Sequence, residues 1–284
     1  MNNELVNDYL AERLSDLFSP VPFVQVEPAV IDDFIKHIVC MIPCGGASKR
    51  MKEDTYKHKG ALELPNGKTI IELTISSYAK WGIKNFVLLV GIHADSIYEA
   101  IEGLDIKGIN ISFSKDPREG VGRGGAVKYA IENGLINKND NMLVHNSDDI
   151  LLNYPGNFLY DVCKYHIQAN SFGGVATAAV TDGTKFPFSC MYVKSGEVVS
   201  MLDSPIIPIP THVGITVFNS AVQDKFVELF SYSKKQDFER VLFPRLANIG
   251  QLFAFKIPKN CWFPINNPKE YQNLIAIIKS NNAP

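Results

Sequence analysis

Apolar residues gather in short unbroken runs along the first half of the chain, at 38–42, 86–90 and 141–145, instead of alternating with polar ones. Runs of this length mark strands buried on both faces, whereas the stretches between them repeat apolar positions every three or four residues, as helices do. The pattern predicts strands near 38–42, 86–90, 109–113 and 141–145, with helices near 69–81, 94–102 and 123–133. Strands alternating with amphipathic helices imply an α/β fold: a Rossmann-like, mostly parallel central sheet flanked by helices on both faces. Ligands of such sheets sit at the carboxyl ends of the strands.

The second half is less regular. It reads as a helix at 158–169, strands at 175–180, 189–193, 198–202 and 213–218, and helices at 221–230, 237–247 and 268–280. The extra strands predict a small additional β-rich portion walling a pocket. Ahead of the sheet, residues 4–18 place Leu5, Tyr9, Leu10, Leu14, Leu17 and Phe18 near one side of a helix, which Pro20 and Pro22 must end. An extended passage to Pro28 follows. The chain thus divides into an N-terminal helical extension, 1–35, and one domain, 36–284. The extension suits packing on the core or on a second subunit, which leaves a homo-oligomer open.

Composition narrows the classes. With 46% hydrophobic and 20% charged residues over 284 positions, a sizeable core is expected. A net charge of −2 without a long basic run lacks the electrostatic footprint of a nucleic-acid binder. No apolar run approaches the roughly 20 residues of a membrane span, and the first residues lack a signal-peptide pattern. Five cysteines, odd in number and without a C-x-x-C pair, read as reduced thiols. The expected compartment is the cytoplasm. The six histidines show no ligand spacing and receive no catalytic role.

Candidate chemistry begins where the first strand ends, at Cys44-Gly45-Gly46-Ala47-Ser48-Lys49-Arg50. Paired glycines let backbone N–H groups approach a phosphate closely, and Arg50 can clamp the anion. The loop has neither the Gly-Lys-Ser/Thr ending of a P-loop nor G-x-G-x-x-G spacing. Asp148 ends the strand at 141–145, at the same sheet edge, where a carboxylate can hold Mg2+ against phosphates. Gly122, Gly124 and Gly125 form a glycine-rich helix entry that can approach a nucleotide. Each feature alone also has a plain structural reading: a tight turn with solvated cations, a turn cap, a packing contact.

Their order along the chain resembles the sugar-1-phosphate nucleotidyltransferase family. Cys44-Gly45-Gly46-Ala47-Ser48-Lys49-Arg50-Met51 is similar to A-[AG]-G-x-G-T-R-[ML], and His58-Lys59 to the following P-K. Gly122-Arg123-Gly124-Gly125-Ala126 resembles G-T-[AG]-G-A, and Asn146-Ser147-Asp148 the strand-end G-D. His212 to Phe218 resembles N-x-G-I-Y-V-F, and Trp262 to Tyr271 resembles W-x-D-I-G-T-P-E-x-Y. The resemblance implies Mg2+-dependent transfer of a nucleoside monophosphate from an NTP to a sugar 1-phosphate, releasing pyrophosphate. It implies Arg50, Lys59 and Asp148 as catalytic residues and Cys44, Gly45, Gly46, Gly122, Gly124 and Gly125 at the nucleotide. Asp203 and Gly214 fall at the sugar phosphate, with Lys185 a substitute cation.

This chain departs from the pattern at Ser48, Lys49, His58, Ser204 and, above all, Pro264, which stands where a second metal carboxylate is usual. Asn266 or Asn267 could offer a neutral oxygen instead. Those departures keep two other readings open: transfer to a non-sugar phosphorylated acceptor, such as a cofactor or polyol phosphate, and a regulatory protein that binds nucleotide sugars without turnover. A metal-dependent glycosyltransferase would also use Asp148 and Asp149 but would not need Arg50 and Lys59.

Overall fold

The computed structural model describes residues 12, 14, 17–48 and 57–281. The amphipathic helix expected at 4–18 lies largely outside these residues. Residues 18–27 run without regular structure, and Pro28 then starts α1 (Pro28–Lys36), proline being suited to a first helical turn.

Strand and helix then alternate as β1 (Ile38–Cys44), α2 (Ile70–Lys80), β2 (Asn85–Val90), α3 (Ala94–Ile101), β3 (Asn110–Lys115), α4 (Gly122–Glu132) and β4 (Asn141–His145). After β5 (Asp149–Leu151) come α5 (Phe158–Asn170), β6 (Ala176–Thr181), β7 (Thr184–Lys185), β8 (Cys190–Lys194), β9 (Glu197–Leu202), β10 (Ile206–Ile207) and β11 (Thr211–Phe218). The chain continues through α6 (Val222–Leu229), α7 (Phe238–Asn248), β12 (Leu252–Ile257), β13 (Trp262–Pro264) and α8 (Pro268–Asn281).

Seven strands form the central sheet in the order β12-β6-β11-β4-β1-β2-β3. All neighbours run parallel except β11, which is antiparallel to both β4 and β6. The unbroken apolar run of β1 is explained by its two buried faces. Ile38, Cys40, Ile42 and Cys44 enter a core shared with α1, α2, α3 and α5, while Val39 and Met41 enter a second core shared with α4, α6 and α7. A one-residue slip would exchange the two sets.

One expectation needs correction, and one strand was missed. The strands expected at 175–180 and 213–218 do not build a separate sheet; as β6 and β11 they extend the central one, and β12, which the sequence reading left out, closes its edge. What remains apart are the two-stranded pairs β7 with β10 and β8 with β9. A further short antiparallel pair, β5 with β13, sits beyond the end of β4 and sets Pro264 opposite Asp149.

Helix α1 belongs to the body of the protein. Its Ile31 and Ile35 are buried in the first core, and the Phe34 ring packs at 5.4 Å from that of His166 on α5. The passage before it is tied to the same helix, through the Val21 N–H donating to the Tyr165 hydroxyl at 3.3 Å and the Gln168 amide donating to the Val24 carbonyl at 2.5 Å.

Candidate active site

A cavity of about 510 Å3 opens at the carboxyl edge of the sheet. Gly45, Gly46, Lys59, Gly122 and Asp148 all line it, so residues separated by more than a hundred positions meet as the strand order requires. Arg50 and Lys49 lie outside the described residues.

Steric limits set the glycine turn. A Cβ on Gly45 would stand 2.7 Å from Oδ2 of Asp116, and one on Gly91, at the end of β2, would stand 2.7 Å from Cα of Gly45. The two backbones therefore touch, and neither position accepts a side chain without displacement. Ser48, found where the resemblance leads one to expect glycine, adopts a left-handed φ of 48°. Its hydroxyl accepts the Lys59 N–H at 3.1 Å, which joins the glycine turn to the short 3-10 turn Lys59–Ala61.

Lys59 is 6% exposed. Its Nζ donates to Asp148 Oδ2 at 3.1 Å and to the Ile265 carbonyl at 2.8 Å. The Ile265 N–H in turn donates to the Asp148 carbonyl at 2.8 Å, so the segment after β13 is fastened to the turn carrying Asp148. An ammonium has three protons. Among the described residues two have protein acceptors, which leaves the third for the cavity that Lys59 lines.

Asp149 takes no part in that surface. Trp262 Nε1 donates to its Oδ1 at 2.8 Å and Asn146 Nδ2 to its Oδ2 at 3.1 Å. Burial, and secondly the adjacent Asp148 charge, push its carboxyl well above the usual carboxylate range. Asp116, at the end of β3, also lines the cavity and is likewise raised to about 7 by burial. Its Oδ1 is buried without a partner among the described residues.

Several expected residues stand elsewhere. Cys44 is buried, its Sγ–H directed to the Ile42 carbonyl at 3.3 Å. Gly124 and Gly125 serve packing: a Cβ would fall 2.1 Å from the Phe230 ring at the first and 2.9 Å from Val121 at the second. Gly214, with φ +74°, lies beneath the site against Asp149 and Asn146. Asp203 is exposed beside the β8–β9 pair, accepting from the Ser189 hydroxyl at 3.1 Å, and Lys185 is exposed on β7. The Asn266 N–H donates to Glu270 Oε2 at 2.6 Å at the start of α8. None of these seven lines the cavity.

The structure adds Asp116, Arg123, Lys235, Asp237 and His58 to the cavity wall. Arg123 is fixed by Asp237 Oδ1, 3.3 Å from Nε, and Glu239 Oε1, 3.1 Å from Nη1. Asp116 was open to the strand-end argument that singled out Asp148. Lys235 and Asp237 precede α7 and reach the site only through tertiary packing.

Among the described residues no cluster of three or more His, Cys, Asp or Glu side chains could hold a metal, and Pro264 contributes no side-chain oxygen. Asp148, about one-third exposed and facing the cavity, fits an ion that arrives on phosphate oxygens, since Mg2+ commonly takes one carboxylate and completes its shell with phosphates and water.

A doubly covered sheet with a glycine turn, a helix entry and a Lys–Asp pair converging at its carboxyl edge defines an open α/β protein with a polar crevice for its ligand. The chain belongs to the nucleotidyl transferase family, whose model matches residues 39–280. It is 23% identical over 234 residues to the mannose-1-phosphate guanylyltransferase catalytic subunit beta of Xenopus tropicalis, covering 81% of this chain and 62% of that protein. To the mannose-1-phosphate guanyltransferase of Yarrowia lipolytica it is again 23% identical, covering 81% of this chain and 61% of that one. The chain thus spans about three fifths of the length of these curated relatives. In fold it is similar to HddC from Yersinia pseudotuberculosis, with a TM-score of 0.61, 17% identity and coverage of 84% and 99% of the two chains. UDP-glucose pyrophosphorylase complexed with UDP-glucose gives a TM-score of 0.64 at 13% identity, covering 86% and 99%. Among the described residues no helix is long and apolar enough to cross a membrane.

Proposed function

We propose that this protein transfers a nucleoside monophosphate from a nucleoside triphosphate to a sugar 1-phosphate, giving a nucleotide sugar and pyrophosphate. The observation that carries the reading is the convergence of the Gly45–Gly46 turn, the start of α4 and the Lys59–Asp148 pair on one cavity. Joining two anions in line requires fixed donors and cations more than a nucleophilic side chain. Backbone N–H groups of the glycine turn would meet the triphosphate. The third Nζ proton of Lys59 would meet the α-phosphate or the incoming sugar phosphate, while Asp148 orients Lys59 and would hold Mg2+. That ion, when bound, neutralises charge on the phosphates.

The base we favour is guanine. Two of the curated relatives are named as guanylyl- or guanyltransferases. A cytoplasmic setting accords with five free cysteines. Pro264 favours one competing reading, a protein that binds nucleotide without turnover, because β13 brings no carboxylate toward Asp148.

The test is pyrophosphate release by the purified chain with Mg2+, a panel of nucleoside triphosphates and a panel of sugar 1-phosphates. Release requiring GTP and mannose 1-phosphate together supports the proposal in full. Release only with a non-sugar acceptor transfers it to that acceptor, and nucleotide binding with no release under any acceptor replaces it with the binding-only reading.

A further inference from the structure

His58 stands in the cavity wall immediately before Lys59, where the resemblance leads one to expect proline. It is 4% exposed and held on two sides. Its backbone N–H donates to the Ser96 hydroxyl at 2.9 Å, and its Nδ1 accepts the Gly60 N–H at 3.0 Å. The second bond fixes the tautomer. A ring nitrogen that accepts from a backbone amide carries no hydrogen, so in the neutral ring the hydrogen is on Nε2.

That nitrogen faces the glycine turn, 3.8 Å from where a Cβ of Gly46 would stand. Among the described residues it donates to no protein acceptor. The same turn is also met by His93, whose Nε2 lies 3.4 Å from the Ala47 carbonyl. Nearly buried polar groups in proteins find partners, and one aimed into a cavity without a protein acceptor marks a place for a ligand acceptor. Burial also lowers the His58 pKa to about 4, which keeps the ring neutral and its donor pattern fixed at working pH.

We infer that His58 is a substrate-binding residue, donating from Nε2–H to a phosphate oxygen of the nucleoside triphosphate lodged over the Gly45–Gly46 turn. The inference rests on the nucleotidyl-transfer reading and adds to it a neutral, oriented donor beside the Lys59 cation. A proline at this place could neither accept from Gly60 nor donate to phosphate.

Two substitutions separate binding from scaffolding. Asparagine at this position retains a polar atom at the place of Nδ1, and so the bond from Gly60, but loses the Nε2 donor; glutamine does the reverse. Equilibrium titration of the purified full chain with GTP and Mg2+ would compare the parent with His58→Asn and His58→Gln. The expected result is about a tenfold loss of GTP affinity in His58→Asn and less than a threefold loss in His58→Gln, a neutral donor to a charged acceptor being worth about that much. Equal affinities in all three proteins would overturn the inference. So would equal losses in both variants, or a loss confined to His58→Gln, since each assigns His58 to scaffolding. A parent chain that binds no nucleoside triphosphate would refute the nucleotidyl-transfer reading itself, whatever the variants do.

Discussion

Lys59 Nζ lies 3.1 Å from Asp148 Oδ2, an ion pair formed between residues 89 positions apart and completed by the Ile265 carbonyl at 2.8 Å. The pair joins the segment after the glycine turn to the end of β4 and to the residues following β13. Each group is held in place by the other, so the cation and carboxylate are oriented before any substrate arrives.

Lys59→Ala should therefore cost activity and some stability together. Pyrophosphate release is expected to fall by at least about 100-fold, the usual scale for removing one oriented electrostatic group from a transfer site. Leaving the Ile265 carbonyl and Asp148 without their donor should cost about 1–3 kcal/mol in urea unfolding. Asp148→Asn keeps a partner for Lys59, so its stability should change less while its activity falls as far. Retention of activity in either variant would remove the pair from the chemistry.

The glycine turn offers a graded test. Gly45→Ala points its new methyl at the Asp116 carboxylate, a side-chain end that can move, so stability should hold within about 1 kcal/mol while nucleotide affinity falls. Gly91→Ala points its methyl at the backbone of Gly45 itself. It should destabilise by about 1–3 kcal/mol and weaken binding as well. Thermal unfolding and nucleotide titration of both variants would check the order; equal stability of the two would mean the turn is not packed as described.

The parts of the fold legible in the sequence were those governed by local rules. The apolar runs of β1, β2 and β4 and the intervening helices follow from period alone, and each falls within one or two residues of its expected place. Membership of a sheet is a different matter. Nothing local to 175–180 or 213–218 says whether those strands join the central sheet, because the answer depends on which edge β4 leaves open. Of the cavity-lining residues, Gly45, Gly46, Gly122 and Asp148 could be picked out because each follows a strand or opens a helix at one sheet edge, whereas Lys59 came from the resemblance alone. His58 was not. A histidine without ligand spacing looks like any core histidine until the Gly60 N–H shows which nitrogen faces outward.

Gly214 and Asp149 give a prediction about space. Gly214 has φ +74°, and a Cβ there would stand 1.9 Å from Asp149 Oδ2 and 2.7 Å from the Asn146 amide nitrogen. Gly214→Ala must pay both backbone strain and the displacement of a buried, doubly hydrogen-bonded carboxylate. A loss of more than about 3 kcal/mol, or failure to fold, is expected. Gly108→Ala is the control: its φ of +80° is similar but nothing lies within 4 Å of the new methyl, so about 1 kcal/mol is expected from strain alone. Similar losses in the two variants would show that the crowding beneath the site is not there.

His166 allows the pH dependence of stability to be tested away from the cavity. It is fully buried on α5, with Nδ1 2.8 Å from the Thr177 hydroxyl and Nε2 2.7 Å from Asn219 Oδ1. Burial lowers its pKa to about 4, whereas in the unfolded chain it returns to the usual value near 6.5. Between those limits the unfolded chain holds a proton that the native protein does not. The unfolding free energy contributed by this group is therefore fully present above about pH 6.5 and is lost as pH falls toward 4. Replacing the ring by an amide removes that one proton from the balance. In urea unfolding at pH 7, 6 and 5, His166→Gln should be less stable than the parent at pH 7, yet lose stability less steeply on acidification. The difference in slope should approach about 1.4 kcal/mol per pH unit, the value for one proton. Parallel curves would mean that His166 is protonated in the native protein, and the Thr177 and Asn219 contacts would then have to be those of a charged ring.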